Sequence, residues 1–174
     1  MAKFNDYWPT LVEWEGAAYE NVPGDSGGPT KYGVTLEDWK HYGVDQNADG
    51  IFDYKDVQLI TAAQAMDIAK KKYWDLFGAD QWTNQSIAEL VVDGSYNQGF
   101  GWMAPTVQKL LGLVPGPYGP KTIGAINGVA SPSILFEMIK KARIDRYNKI
   151  IANNPSQEKF RKGWMNRVNS FNFK

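Results

Sequence analysis

The sequence predicts a mainly α protein with one small loop or hairpin segment near residues 20–35. Three features predict it. Apolar residues recur at spacings of three and four over several stretches. Helix-start signals (Thr35-Leu-Glu-Asp38, Thr61-Ala-Ala-Gln64 and Ser131-Pro132) open three of the segments. Turn chemistry is concentrated at 20–34, where ENVPGD and SGG stand close together.

The elements follow in order. A first helix is expected after Asn5 or Asp6, with Pro9 accommodated in its first turn, where N–H groups have no intrahelical partner. Phe4, Trp8, Leu11, Glu15 and Ala18 form its stripe, with Tyr7 and Val12 alongside. Thr35 caps a short helix to Tyr42, and residues 43–56 form an acidic loop. Thr61 opens a helix to Phe77 with Ala65, Ala69, Tyr73, Leu76 and Phe77 on its stripe, Ile68 and Trp74 at its edges, and Lys70, Lys71 and Lys72 on solvated faces. Further helices are expected at 84–97, at 103–112 and from Pro132 to Ala152. A last one is capped by Ser156 and reaches Val168. There is no internal repeat.

Composition narrows the function classes. With 174 residues, 43% apolar and 22% charged, the chain can bury a real core. A net charge of zero argues against a general polyanion binder, so no nucleic-acid partner is expected. No apolar run is long enough to span a membrane. The start MAKFNDYWPTLVEWEG lacks an apolar signal region. Synthesis in the cytoplasm without a Sec-type address, release to the site of action by another route and a monomeric state are the expectations. Cysteine is absent and His41 is the only histidine, which excludes Cys–His catalysis and a multi-histidine zinc site. No P-loop, GxGxxG or nucleophile-elbow motif is present. For an enzyme, carboxylate chemistry remains. Aromatics reach 14%, which fills a core and leaves rings whose flat faces can stack on sugars.

Residues 45–56 read DQNADGIFDYKD. A calcium loop of this length supplies oxygens from positions 1, 3, 5, 7, 9 and 12, with Gly at 6 for the sharp turn. Those positions hold Asp45, Asn47, Asp49, the Ile51 backbone, Asp53 and Asp56, with Gly50 in place. Position 12 is Asp rather than the longer Glu. The plain alternative is a solvated acidic loop, but clustered carboxylates repel one another without a cation. The expected role of Ca²⁺ is structural.

Glu15 ends the first apolar stripe, and a carboxylate there costs stability unless it is paired or protonated. The negative end of the helix macrodipole acts in the same direction. A carboxylic acid held protonated can donate to a glycosidic oxygen. The alternative is a buried Glu15 paired to Arg143 or Arg167. Downstream, Asp25 and Thr30 supply a second carboxylate and a hydroxyl able to position water or stabilise charge. Among rival acids, Glu13 is rotated about 200° off the stripe, and Glu20 reads as solvated.

The chain carries Glu15-Gly16, Tyr19, Asn21, Pro23, Asp25, Gly27-Gly28, Thr30 and Gly33-Val34-Thr35. It continues with Tyr73-Trp74-Asp75, DGSYNQG at 93–99, Gln108, Leu110-Leu111-Gly112, Gly119-Pro120, Thr122 and FRKGWMNRV at 160–168. This resembles glycoside hydrolase family 108, bacterial and phage N-acetylmuramidases with a C-terminal peptidoglycan domain. The resemblance implies a lysozyme-like helical fold and the MurNAc–GlcNAc backbone of peptidoglycan as substrate, with Glu15 as catalytic acid. Asp25 and Thr30 are its expected helpers, and Tyr32, Tyr96 and Asn97 the expected sugar contacts. Residues 1–90 are expected as the catalytic region with the calcium loop inserted, and 91–174 as a helical peptidoglycan domain packed against it. A lytic transglycosylase and a non-catalytic wall-binding or secretion-accessory module are the alternatives. Three positions depart from the family pattern. Glu15 to Tyr19 is one residue longer than E-G-G-Y, its second Gly is Ala17, and VPGPY replaces the usual Asp-Gly near 113–118.

Overall fold

The computed structural model describes residues 1–21 and 28–174, which form two compact units, Phe4–Lys72 and Met1–Lys3 with Tyr73–Lys174. The chain is mainly α with one small sheet, the lysozyme-like pattern that the sequence predicts. Among the described residues no single helix is long and apolar enough to cross a membrane.

In the first unit, α1 spans Phe4–Glu15. It begins earlier than expected, so Pro9 lies inside the helix rather than in its first turn. Its buried line is Phe4, Tyr7 and Leu11, while Trp8 and Glu15 are half-buried on its flank and Ala18 lies exposed beyond the helix end. Three two-residue strands follow: β1 Tyr19–Glu20, β2 Thr30–Lys31 and β3 Val34–Thr35, antiparallel in the order β1-β2-β3. Thr35 then caps α2, Leu36–Tyr42, through the expected capping box with Asp38. Thr61 and Gln64 form the same device at α4, Ala62–Ala69.

Trp39, Val57, Ile60, Ala65 and Ile68 pack with Val34 into the core of this unit. Burial of Val57 and Ile60 contributes about 1.5–3 kcal/mol each. Val57 belongs to α3, Tyr54–Leu59, where only a loop end was expected. Asp53 caps α3 and Asp56 closes a capping box, so the last two expected ligand positions of the acidic loop also start a helix.

The helix opened by Thr61 does not continue unbroken to Phe77. A π-helical turn, Lys70–Trp74, widens it before a 3₁₀ turn at Asp75–Phe77. The extra residue per turn rotates the stripe. Trp74 becomes fully buried and Leu76 is left 48% exposed. Lys72, its side chain 33% exposed, pairs with Asp38.

In the second unit, α5 (Gln85–Gln98) is capped by Asn84, whose Oδ1 accepts from the Ile87 N–H at 2.9 Å. Ile87, Leu90, Val91, Val92 and Asp93 are all buried, so this helix is enclosed on most sides. It packs against α6 (Phe100–Leu110) and α8 (Pro132–Asn153). The expected division at 90/91 falls within α5. At Gly94 an added Cβ would lie 2.8 Å from the Met103 sulfur and 3.2 Å from the Arg143 side chain, so glycine permits the close approach of α6 and α8. A helix the sequence reading missed, α7 (Pro120–Asn127), starts with Pro at its first position. Beyond α8, Asn154 rather than Ser156 supplies the cap, and it opens a 3₁₀ segment, Pro155–Phe160. The last helix, α9, is Arg161–Ser170.

Candidate active site

Glu15 is the last residue of α1, and that turn carries no basic side chain. Gly16 follows in the left-handed conformation at φ +78°, its N–H donating to the Val12 carbonyl at 2.9 Å. This is a glycine helix end, and it redirects the chain toward β1. The left-handed residue is therefore Gly16, and Ala17 does not need that freedom. The departure from the family's second glycine leaves the helix end intact.

Thr30 lies on the central strand, half-buried, with Glu20 and Thr35 as its Cα partners on either side. Lys31 pairs with Val34 across a two-residue turn made by Tyr32 and Gly33. Both turn residues have positive φ, +53° and +73°, the requirement of a tight hairpin turn. Tyr32 is strained there, at about 1–2 kcal/mol for a residue with a Cβ. Its ring packs on the Trp39 core cluster and carries the Lys31 ammonium 5.8 Å from its centroid. Asp25 lies outside the described residues.

Two other expected sugar contacts, Tyr96 and Asn97, belong to the second unit. The Tyr96 ring lies 4.3 Å from that of Tyr73, with the Arg167 guanidinium 5.8 Å from its centroid. Asn97 is exposed and donates to the Asp93 carbonyl of its own helix at 3.1 Å. Beneath them, Asp93 is fully buried and pairs with both Arg143 and Arg167. Arg143 Nη2 donates to one carboxylate oxygen at 2.6 Å, and Arg167 Nη2 to the other at 2.7 Å. Arg143 also donates to the Leu90 carbonyl at 2.9 Å. Sequence spacing does not reveal this cluster, because its members come from three helices.

The acidic loop is closed on itself by backbone donors. Asp45 accepts from the Gly50 N–H at 2.7 Å, Asn47 from Asp49 at 3.2 Å and Asp49 from Ile51 at 2.9 Å. Asp53 accepts from Lys55 at 2.8 Å. Asp56 is fully buried and accepts from Gln46 at 2.7 Å and from Asp53 at 2.9 Å. Ala48 and Gly50 are left-handed, which tightens the loop. Lys55 supplies counter-charge, its ammonium 3.4 Å from Asp49 and 3.8 Å from Asp53. The Ile51 N–H bond is the main reason the Asp49 carboxyl is held below its ordinary range, and Lys55 adds to it. One oxygen, Asp45 Oδ1, is buried without a protein partner. Among the described residues no group of three or more acidic or histidine side chains is gathered closely enough to hold a metal ion.

Two grooves open elsewhere. One of 690 Å³ in the first unit is lined by Thr35, Glu37, Asp38, His41 and Lys72 among others. Another, of 570 Å³ between α6 and α8, is lined by Trp102, Arg146 and Lys149 with neighbours from α8. Glu15 lines neither of them. Sequence reading did not single out Trp102 and Arg146, because they stand far apart in the chain.

Residues 8–99 match the family model of glycosyl hydrolase 108, and residues 104–169 match one described as a predicted peptidoglycan domain. No curated protein matches the chain. Among solved structures, SagA of Brucella abortus has a TM-score of 0.73 at 23% identity, covering 97% of this chain and 90% of that one, a likeness of fold. Glu15, Thr30 and Tyr32 all lie within the first matched segment, which covers more than half of the chain. The protein belongs to the glycosyl hydrolase 108 family, glycoside hydrolases acting on peptidoglycan.

Proposed function

We propose that the chain hydrolyses the β-1,4 bond between MurNAc and GlcNAc in peptidoglycan, with Glu15 as the general acid. The observation that carries this reading is the placement of Glu15. It is a half-buried carboxyl at the end of α1, released from the helix by left-handed Gly16 and followed at once by the small sheet. In the proposed step the Glu15 carboxyl gives its proton to the glycosidic oxygen as the C1–O bond breaks. Water then adds to C1 and its proton returns to a carboxylate. Asp25 and Thr30 position that water or stabilise the developing charge, and Tyr32, Tyr96 and Asn97 contact sugar.

Mass spectrometry of the products from purified cell wall tests the bond and the chemistry together. Muropeptides ending in reducing MurNAc are expected. Products ending in reducing GlcNAc would contradict the bond assignment. Products with 1,6-anhydro ends would replace hydrolysis by the lytic transglycosylase reaction.

We also propose that the 45–56 loop binds Ca²⁺ in a structural role. Its support is the donor set itself: Asp45, Asn47, Asp49, the Ile51 carbonyl, Asp53 and Asp56 are hard oxygens at calcium-loop offsets, and Asp45 Oδ1 is buried without a partner. Lys55 is the competitor, so Ca²⁺ has to displace its charge from Asp49 and Asp53 and draw together carboxylates that are not gathered closely enough without it. Calcium at a hundred times its dissociation constant stabilises the fold by about 2.7 kcal/mol. The expected result is a rise in Tm with millimolar Ca²⁺ that EDTA reverses and Asp45→Asn abolishes. A melting curve indifferent to Ca²⁺, with no heat on titration, overturns this proposal.

A further inference from the structure

The groove between α6 and α8 has the chemistry of a carboxylate site. Arg146 lies across the face of Trp102, its guanidinium carbon 4.5 Å from the ring centroid. Its Nε is buried and has no hydrogen-bond partner, and its bond from Nη2 to the Gln98 carbonyl is long, at 3.4 Å. A buried donor left unsatisfied costs about 1–3 kcal/mol, so a native structure that keeps one needs a reason. Among the described residues no carboxylate forms a salt bridge with Arg146 or with Lys149, which stands one turn further along α8. The one acid on the groove, Asp145, is taken by Lys141 at 2.6 Å. The groove thus offers two cations without a salt bridge among the described residues, one of them a planar fork already oriented by an aromatic plate, beside Ile150 and the Asn153 amide.

We propose that this groove binds a carboxylate of the peptidoglycan stem peptide, with the guanidinium of Arg146 as the fork and Lys149 as a second, rim charge. The Trp102 face and Ile150 take the aliphatic part of the peptide. This rests on the proposed wall-cleaving function, because the groove lies largely within the segment matching a peptidoglycan domain. It would hold the wall by its peptide while the bond to be cut is a glycosidic one elsewhere on the same polymer. A neutral glycan such as chitotetraose has no group for the Arg146 fork, so the groove discriminates peptide-bearing strands from neutral glycan.

The test is a titration of the full chain carrying Glu15→Gln, which removes turnover, followed by ¹⁵N NMR at the Arg146 Nε–H and Trp102 Nε1–H signals. Three probes are used: GlcNAc–MurNAc-tetrapeptide, the free tetrapeptide and neutral chitotetraose. Both peptide-bearing probes should shift the two signals saturably, and chitotetraose should not. Arg146→Gln should weaken the peptide-bearing probes about ten-fold or more, as loss of a charge-assisted bond requires. Lys149→Gln, an exposed change that keeps Arg146 and the fold, should weaken them about two- to five-fold. Signals unmoved by the peptide, or moved equally by chitotetraose, overturn the proposal, as does unchanged affinity in both variants. The titration does not depend on turnover. Its failure leaves the role of Glu15 standing, and turnover retained by Glu15→Gln leaves the groove result standing.

Discussion

The segment around Glu15 and the cluster around Asp93 hold their polar groups by opposite means. Glu15 and Thr30 are placed by backbone devices: a left-handed glycine, two-residue strands and a turn with a tyrosine at positive φ. Asp93 is placed by side chains, two arginines from α8 and α9 gripping a fully buried carboxylate on α5. In the first arrangement Glu15 is half-buried and the nearby turn keeps some strain. The second commits its charges to one another and fixes three helices. The buried ion network is thus a mark of scaffold in this chain, and the strained turn lies where the proposed working surface is.

That contrast can be broken by mutation. The largest stability effect should come from Asp93→Ala, which strands two buried guanidinium groups and costs about 3–5 kcal/mol. It is read as a fall in denaturation midpoint, and a loss below about 1 kcal/mol, the scale of an exposed pair, would place Asp93 outside the scaffold. Gly94→Ala should follow at about 1–3 kcal/mol, because its Cβ would strike Met103 and Arg143. Tyr32→Asn should divide the two properties. Relief of about 1–2 kcal/mol of left-handed strain offsets lost ring packing, so Tm stays nearly level. Activity on cell wall should still fall several-fold, and full activity would remove Tyr32 from the working surface.

The smallest effect is alkaline. Burial raises the pKa of the Tyr118 and Tyr147 hydroxyls above the ordinary value. The unfolded chain therefore loses these protons first. Their contribution is complete below about pH 10 and declines as pH rises beyond it. A pH series of denaturant melts shows this, and Tyr147→Phe should flatten the decline.

Much of the helical order was legible, because its signals are local. The capping boxes at Thr35 and Thr61, the Asn84 start and Pro132 at a first position each act within one turn. The π-helical turn at Lys70–Trp74 was not legible, since KKKYW reads as ordinary helix and the burial of Trp74 that accompanies the turn is tertiary. Asp53 and Asp56 carried two readings at once, calcium ligand and helix cap, and the capping-box spacing went unread. Arg143 and Arg167 both pair with Asp93, a convergence that charge alone does not single out. The Trp102–Arg146 groove is a purely tertiary product of α6 lying on α8.

The most direct measurement is the release of reducing ends from purified cell wall by Glu15→Gln, with melting temperature recorded on the same preparation. The role of Glu15 as proton donor predicts an unchanged Tm and a rate lowered by about 10²–10⁴-fold, the range for loss of a general acid. A variant that melts normally and still cleaves the wall at the parent rate would contradict it.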